Sequence, residues 1–243
     1  MHNIIKYEFK GQIKNIIGMF VILSFVNLVI LYYSKVLTIQ GSAALTFVTG
    51  FAAFIAVLIA GIQTFTRDLY DDTGYLLYQT PTKGIYIVGG KIIFSVIQVI
   101  FLTLISFLFM LPYILKADNL PYPTFSSIVY MGIVCVFMYS FLLLSIYFSA
   151  AVSKLIAKSK KWGTLSGFLI FIIFWTLFGK IGDFLGNIFN YSINFNIFIL
   201  KNAYMSFTAP SISLNIAYMV FEIVVFVLLL MGVSYIIEQK IDL

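Results

Sequence analysis

Six long runs of apolar residues, separated by short polar connections, dominate the chain. Their approximate limits are Ile16–Tyr33, Leu45–Phe65, Ile85–Leu111, Phe125–Ala151, Thr164–Gly179 and Leu214–Ile237. A helix that spans a bilayer needs about 20 mostly apolar residues. In hydrocarbon, only helices and closed barrels satisfy every backbone polar group, and the alternating pattern of barrel strands is missing. The pattern therefore predicts an all-α, polytopic membrane protein with six transmembrane helices in a single transmembrane domain, residues 1–243.

The first 15 residues carry an apolar face beside a basic one. The apolar positions at helical spacing are Ile5, Phe9, Ile13 and Ile16, and the basic positions are Lys6, Lys10 and Lys14. This arrangement is typical of a helix that lies along a membrane surface with its lysines on lipid phosphates. We therefore predict an N-terminal amphipathic interfacial helix, residues 1–15; a plain basic flank of the first span is the alternative.

A second unusual stretch, residues 180–213, follows the fifth run. Its asparagines are set among Phe and Ile, so it is too apolar for a free loop and too polar to span. Backbone that is not helical is tolerated at membrane depth only where protein or water covers it. The stretch predicts a re-entrant or interfacial extracellular segment between spans five and six.

Composition and charge support a membrane location and orient the chain. It is 62% hydrophobic and 10% charged, whereas soluble domains are about 45–50% apolar and about 25% charged. With the N-terminus inside, eleven Lys and Arg residues fall in inside segments and four in outside segments. This bias predicts that both termini are cytoplasmic. It also explains the net charge of +6 without nucleic acid. The chain is rich in Ile, Lys, Asn, Phe and Tyr, a usage typical of AT-rich bacterial genomes. It therefore favours a bacterial cell (inner) membrane.

The residue inventory excludes several classes of chemistry. The chain has one histidine, His2, and one cysteine, Cys135. A His-rich metal site or a Ser-His-Asp triad needs more than this. No G-x-x-x-x-G-K-[ST] motif for nucleotide phosphates occurs. We therefore predict no catalytic residue, metal site or cofactor in this chain, and no enzyme activity of its own.

The connection Thr66–Gly84 is the longest one predicted on the cytoplasmic side. It begins acidic and becomes aromatic and apolar. Gly74 permits a tight turn, and Pro81 ends the short helix that precedes it. Exposed apolar side chains beside charges indicate a docking site for a protein, although burial among lipid headgroups explains them equally well on physical grounds. The residues that define this site are Asp71, Asp72, Gly74, Tyr75, Leu76, Leu77 and Pro81.

This connection resembles the permease subunits of type-2 ABC transporters. The resemblance rests on Asp71-Asp72-x-Gly74-Tyr75-Leu76, on Thr80-Pro81, and on a lysine, Lys91, that opens the third span. The sequence has Thr82-Lys83 where the family often has Ser-Arg. The overall layout, an amphipathic start, six spans and a re-entrant segment before the last, is also similar.

The resemblance implies a function and partners. The segment 66–84 would be the coupling segment, which rests in a cleft on a separate P-loop ATPase subunit that binds ATP and Mg. A second permease copy or a related permease subunit would complete the complex. The chain would then be the permease of an ATP-driven exporter for an amphipathic or hydrophobic substrate such as a peptide, drug or lipid.

A few polar residues fall inside the predicted spans. Glu222 lies about nine residues into the last span, where a carboxylate is costly and should face protein or water. It is a candidate for the substrate path. The alternative is an interhelical hydrogen bond with a mid-span amide such as Asn27 or Gln98. Lys91, near the cytoplasmic end of span three, is expected to extend its amine to lipid phosphate.

Two other functions compete with transport. Asp68, Asp71 and Asp72 resemble half of an aspartate-rich diphosphate site, so a membrane-embedded enzyme acting on a lipid or prenyl diphosphate is one alternative. Such a site normally needs a second acidic cluster, which the sequence lacks. A channel or an assembly factor is the other alternative.

Overall fold

The structure is a computed structural model that describes residues 2–34, 36–70, 83–116, 122–123, 125–157, 159–189, 191–196, 198–199 and 211–239. Six helices run through these ranges: α1 His2–Tyr33, α2 Ile39–Tyr70, α3 Gly84–Lys116, α4 Phe125–Ile156, α5 Lys160–Ile188 and α6 Ile216–Gln239. All six are long and apolar enough to cross a membrane. At about 1.5 Å per residue, each exceeds the roughly 30 Å of a hydrocarbon core. The predicted all-α, six-span architecture is confirmed.

Two short strand pairs accompany the helices. β1, Tyr122–Pro123, pairs antiparallel with β3, Phe198–Ile199. β2, Ser192–Asn196, pairs antiparallel with β4, Ser211–Asn215, in the register Ser192 to Asn215. These strands lie within the predicted re-entrant segment or beside it. Residues 200–210 lie outside the described residues, so the depth of this segment in a membrane stays a prediction.

Several of the predicted helices are shorter than the helices in the structure. α2 continues through Thr66–Tyr70, and α5 continues past Gly179 to Ile188. Neither extension contains proline, and helix hydrogen bonds propagate through polar residues as readily as through apolar ones. Where helices do begin, side chains mark the place. Asn215 accepts hydrogen bonds from the backbone N–H groups of Ala217 and Tyr218, which caps α6.

The N-terminal segment is helical, as predicted, but it is not a separate element. Residues 2–33 form one unbroken helix. The two glycines near residues 11–18 do not interrupt it, because a helix tolerates isolated glycines. Its early turns pack against the beginning of α3. The ring of Phe9 meets that of Phe94 edge to face at 5.6 Å. Its position relative to a lipid surface stays a prediction.

The chain divides into two compact units. Unit 1 contains Met1–Gln63 and Gly90–Leu120, and unit 2 contains Thr64–Gly89 and Pro121–Leu243. In unit 2, α4 packs on both α5 and α6, and α5 also packs on α6. The core of this packing is aromatic, with Phe178 in contact with the rings of Phe141, Phe174, Trp175 and Phe221. Large apolar side chains remain exposed along every helix, which is the distribution expected where lipid is the solvent.

Candidate functional site

The predicted coupling segment is described only at its two ends. Asp71, Asp72, Gly74, Tyr75, Leu76, Leu77 and Pro81 lie outside the described residues. Two stems flank them: the α2 stem, residues 64–70, and the α3 stem, residues 83–89. Both stems belong to unit 2, together with α4, α5 and α6. The side-chain contacts of these two stems are therefore the part of the candidate site that the structure describes.

The α2 stem is held by an aromatic stack on α4. Phe65 and Tyr147 are fully buried, and their rings lie parallel with 4.0 Å between centroids and 11° between planes. Leu69, one turn beyond Phe65, is also buried. On α4, Ala151 lies one turn beyond Tyr147 and is also buried. An offset aromatic pair adds about 0.5–1.5 kcal/mol to the apolar area that it buries.

The last residue of the α2 stem reaches the beginning of α5. The ammonium of Lys154 lies 4.5 Å from the centroid of the Tyr70 ring, a cation–π contact worth about 0.5–1 kcal/mol when exposed. The phenol end of Tyr70 also touches the position where Gly163 has no side chain. Gly163 is itself tied to α4, because its carbonyl accepts a hydrogen bond from the buried Ser153 hydroxyl. Tyr70 therefore contacts α4 and α5 at the point where they are joined.

The α3 stem is held by the far end of α6. The backbone N–H of Gly84, the first residue of α3, donates a hydrogen bond to the Glu238 carboxylate. A helix leaves its first N–H groups without intrahelical partners, and a carboxylate there is favoured by the helix dipole. One turn earlier on α6, the Ser234 carbonyl would lie 2.7 Å from a β-carbon on Gly84. Only glycine permits this approach. Ile87 and Val88 complete the buried stem.

Glu222 lies in unit 2, within the aromatic part of the bundle. The residue is 7% exposed, and Tyr218 lies one turn earlier on the same helix. Tyr218 and Phe221 both approach the ring of Phe178 on α5. Glu222 is thus buried in protein and not exposed on the surface of the bundle. Its place on a substrate path stays a prediction.

Asn27 and Gln98, the other polar candidates, lie in unit 1. Asn27 is buried, accepts a hydrogen bond of 3.1 Å from the Thr49 hydroxyl on α2, and donates one of 2.9 Å to the Leu23 carbonyl. It therefore ties α1 to α2. Gln98 on α3 is also buried, and among the described residues its side-chain nitrogen has no hydrogen-bond partner.

The expectation for Lys91 is wrong. Its side chain is 1% exposed, and its ammonium forms an ion pair with the Glu8 carboxylate on α1. Gln12, one turn further along α1, donates to the second oxygen of Glu8 at 3.3 Å. The lysine is held by protein, at the place where the N-terminal part of α1 packs against α3. Sequence reasoning missed Glu8 as the partner of Lys91 and Glu238 as the partner of the α3 stem, because neither contact has a local sequence signal.

A protein binds a metal ion through a group of ligating side chains that lie close together. Within the described ranges, no three His, Cys, Asp or Glu side chains come together as a metal site would require. Asp68, in the α2 stem, is buried and pairs with Arg67 at 3.6 Å. Comparison with known protein families, with curated proteins and with solved structures finds no match to this chain.

Proposed function

We propose that this chain is the permease subunit of an ATP-driven exporter of the type-2 ABC class. It would act as a pair of permeases on two separate P-loop ATPase subunits, with segment 66–84 as the coupling segment. The observation that carries the proposal is the anchoring of both stems of this segment in unit 2. A connection that merely joins two spans needs no such anchors, whereas a lever that transmits force needs both ends fixed.

The stems suggest how force from an ATPase would enter the permease. A push on residues 71–82 would reach α4 through the Phe65–Tyr147 stack and α6 through the Gly84–Glu238 hydrogen bond. Packed interfaces of this kind have discrete arrangements and do not deform continuously. ATP-driven closure of the two ATPases would therefore shift the bundle between two states. The apolar composition favours an amphipathic or hydrophobic substrate such as a peptide, drug or lipid.

The intramembrane enzyme is the weaker proposal. Its aspartate cluster would use the carboxylate of Asp68 to hold magnesium and diphosphate, but this carboxylate is buried in the α2 stem beside Arg67. A metal ligand at a diphosphate site must instead face the substrate. Transport accounts for the buried stem and the enzyme does not.

The test begins with the tagged chain purified from the membranes of its own cells and placed in lipid nanodiscs. We expect a protein with a P-loop to copurify in about equal amount and to hydrolyse ATP in a vanadate-sensitive manner. Tyr75→Ala and Leu76→Ala should each lower copurification by about tenfold or more, since a buried apolar anchor contributes about 1.5–3 kcal/mol. Asp71→Asn should have a smaller, salt-dependent effect.

The matched control is Tyr191→Ala, which removes an exposed aromatic residue on the predicted outer side. It should leave copurification and hydrolysis unchanged. ATP hydrolysis by the purified chain without a partner, or copurification of no P-loop protein, would contradict the proposal. Loss of assembly in Asp71→Asn alone would show that the contact is mainly electrostatic.

A further inference from the structure

The beginning of α3 and the end of α6 are joined by an unusual pair of contacts. Ser234 and Glu238 are four residues apart on α6, so they lie one above the other on one face. Both meet the same residue, Gly84. The Ser234 carbonyl would lie 2.7 Å from a β-carbon there, and the Glu238 side chain 3.2 Å. Two adjacent turns of α6 thus contact one residue of the coupling segment, Gly84.

The side chain of Glu238 accepts a hydrogen bond from a backbone N–H group that has no acceptor within α3. The N–H of Gly84 has no carbonyl one turn earlier within its own helix, and Glu238 supplies the acceptor from a position 154 residues away in sequence. The contact is charge-assisted and lies at the positive end of the α3 dipole. Beside it Val233, Ile236 and Ile237 are buried, whereas Tyr235 and Glu238 itself are exposed.

We infer that Glu238 is a positioning residue for energy coupling: it makes α6 move with the α3 stem when an ATPase displaces segment 71–82. The inference rests on the proposed function and adds to it a route, from the coupling segment directly to the last helix. Without the carboxylate, the close approach of Gly84 to Ser234 remains, but the charge-assisted link between α3 and α6 is lost. The two helices would then no longer change position together.

The experiment follows the movement of α6 in the complex of permease and ATPase in nanodiscs. Cys135→Ser removes the single native cysteine, and Leu228→Cys places an environment-sensitive fluorophore on an exposed position in the middle of α6. The signal is compared between the resting complex and the vanadate-trapped complex. Glu238→Ala removes the acceptor, Glu238→Gln keeps an amide oxygen in its place, and Tyr235→Ala changes a nearby exposed side chain as a control.

We expect Glu238→Ala to assemble with the ATPase and to hydrolyse ATP while most of the fluorescence change is lost, because the link between α3 and α6 is removed. Glu238→Gln should retain most of the change, and Tyr235→Ala all of it. A purely structural contact would instead alter assembly, hydrolysis and fluorescence together.

Three results would overturn the inference. The first is a full fluorescence change in Glu238→Ala. The second is loss of assembly in both Glu238 variants, which would assign the contact to folding. The third is an unchanged signal in the parent complex although its ATPase is present and active. Absence of any copurifying ATPase would instead refute the proposed function, so the two failures are distinguishable.

Discussion

At the scale of single residues, charge burial is the feature with the largest energetic consequence. Lys91 and Glu8 are 83 positions apart and form an ion pair from which water is nearly excluded. Removing one partner of such a pair is strongly destabilising, whereas removing both can be close to neutral. The pair therefore fixes which part of α1 faces α3.

We expect Lys91→Met and Glu8→Gln each to lower the stability of the chain by about 3–5 kcal/mol. The double variant should lose clearly less than the sum of the two, because neither charge is then left alone. Thermal unfolding of the purified chain in nanodiscs measures all three. Lys10→Met, at an exposed lysine one turn from Lys6 and on the same predicted basic face, is the control and should change stability by less than about 0.5 kcal/mol. Additive losses in the double variant would show that the two charges do not compensate each other.

The same pair shows what a single sequence can and cannot predict. That Lys91 needs a partner or a route to water follows from its place in an apolar run. That the partner is Glu8 does not follow, because many pairings across 83 residues are compatible with the same pattern. Glu238 is a stronger case, since its contact spans 154 residues and its partner is a backbone N–H that carries no sequence signature. Helices were predictable because each depends on local composition.

At the scale of helices, close approach at glycine sets how the elements pack. Gly84 and Gly179 are both helical glycines in unit 2, but their surroundings differ. A β-carbon on Gly84 would meet the backbone carbonyl of Ser234, whereas one on Gly179 would enter open space among the described residues. A backbone atom cannot rotate away as a side-chain end can, so α3 and α6 would have to separate.

This difference gives a prediction with opposite signs. Gly84→Ala should destabilise the chain by about 1–3 kcal/mol through overpacking. Gly179→Ala should be neutral or stabilise it by up to about 1 kcal/mol, since alanine is the better helix former. Both variants are compared with the parent by thermal unfolding under identical lipid conditions. A stabilising effect of Gly84→Ala would mean that α6 does not approach α3 as closely as the structure indicates.

Helix boundaries were predicted less well than the helices themselves, and for a local reason. Apolar runs mark the part of a helix that lies in lipid, whereas the helix continues until its backbone is capped or broken. At the end of α2 the polar residues Thr66, Arg67 and Asp68 remain helical, so the helix continues to Tyr70, which makes stem contacts. The functional part of the candidate site therefore begins inside a helix that the hydropathy pattern ends at Phe65.

At the scale of the whole molecule, the charge bias predicts the orientation, and an even number of spans places both termini on the same side. α5 connects Lys160 to Ile188, a rise of about 42 Å at 1.5 Å per residue, so its ends must lie on opposite sides if it crosses the bilayer. The bias of eleven to four predicts that the Lys160 end is cytoplasmic. The coupling segment would then lie on the same side, where ATP is available.

We expect a cysteine at position 158, made by Lys158→Cys in a Cys135→Ser background, to react with a membrane-impermeant maleimide only after the cells are opened. Tyr191→Cys, at an exposed residue just beyond α5, should react in intact cells and serves as the matched control. Because both positions flank the same helix, their difference measures the direction of that helix and not the general reactivity of the chain. Labelling of position 158 in intact cells, with position 191 protected, would show that the true topology is the reverse of the predicted one. It would also place segment 66–84 outside, away from any ATPase, and the proposed function would fall with it.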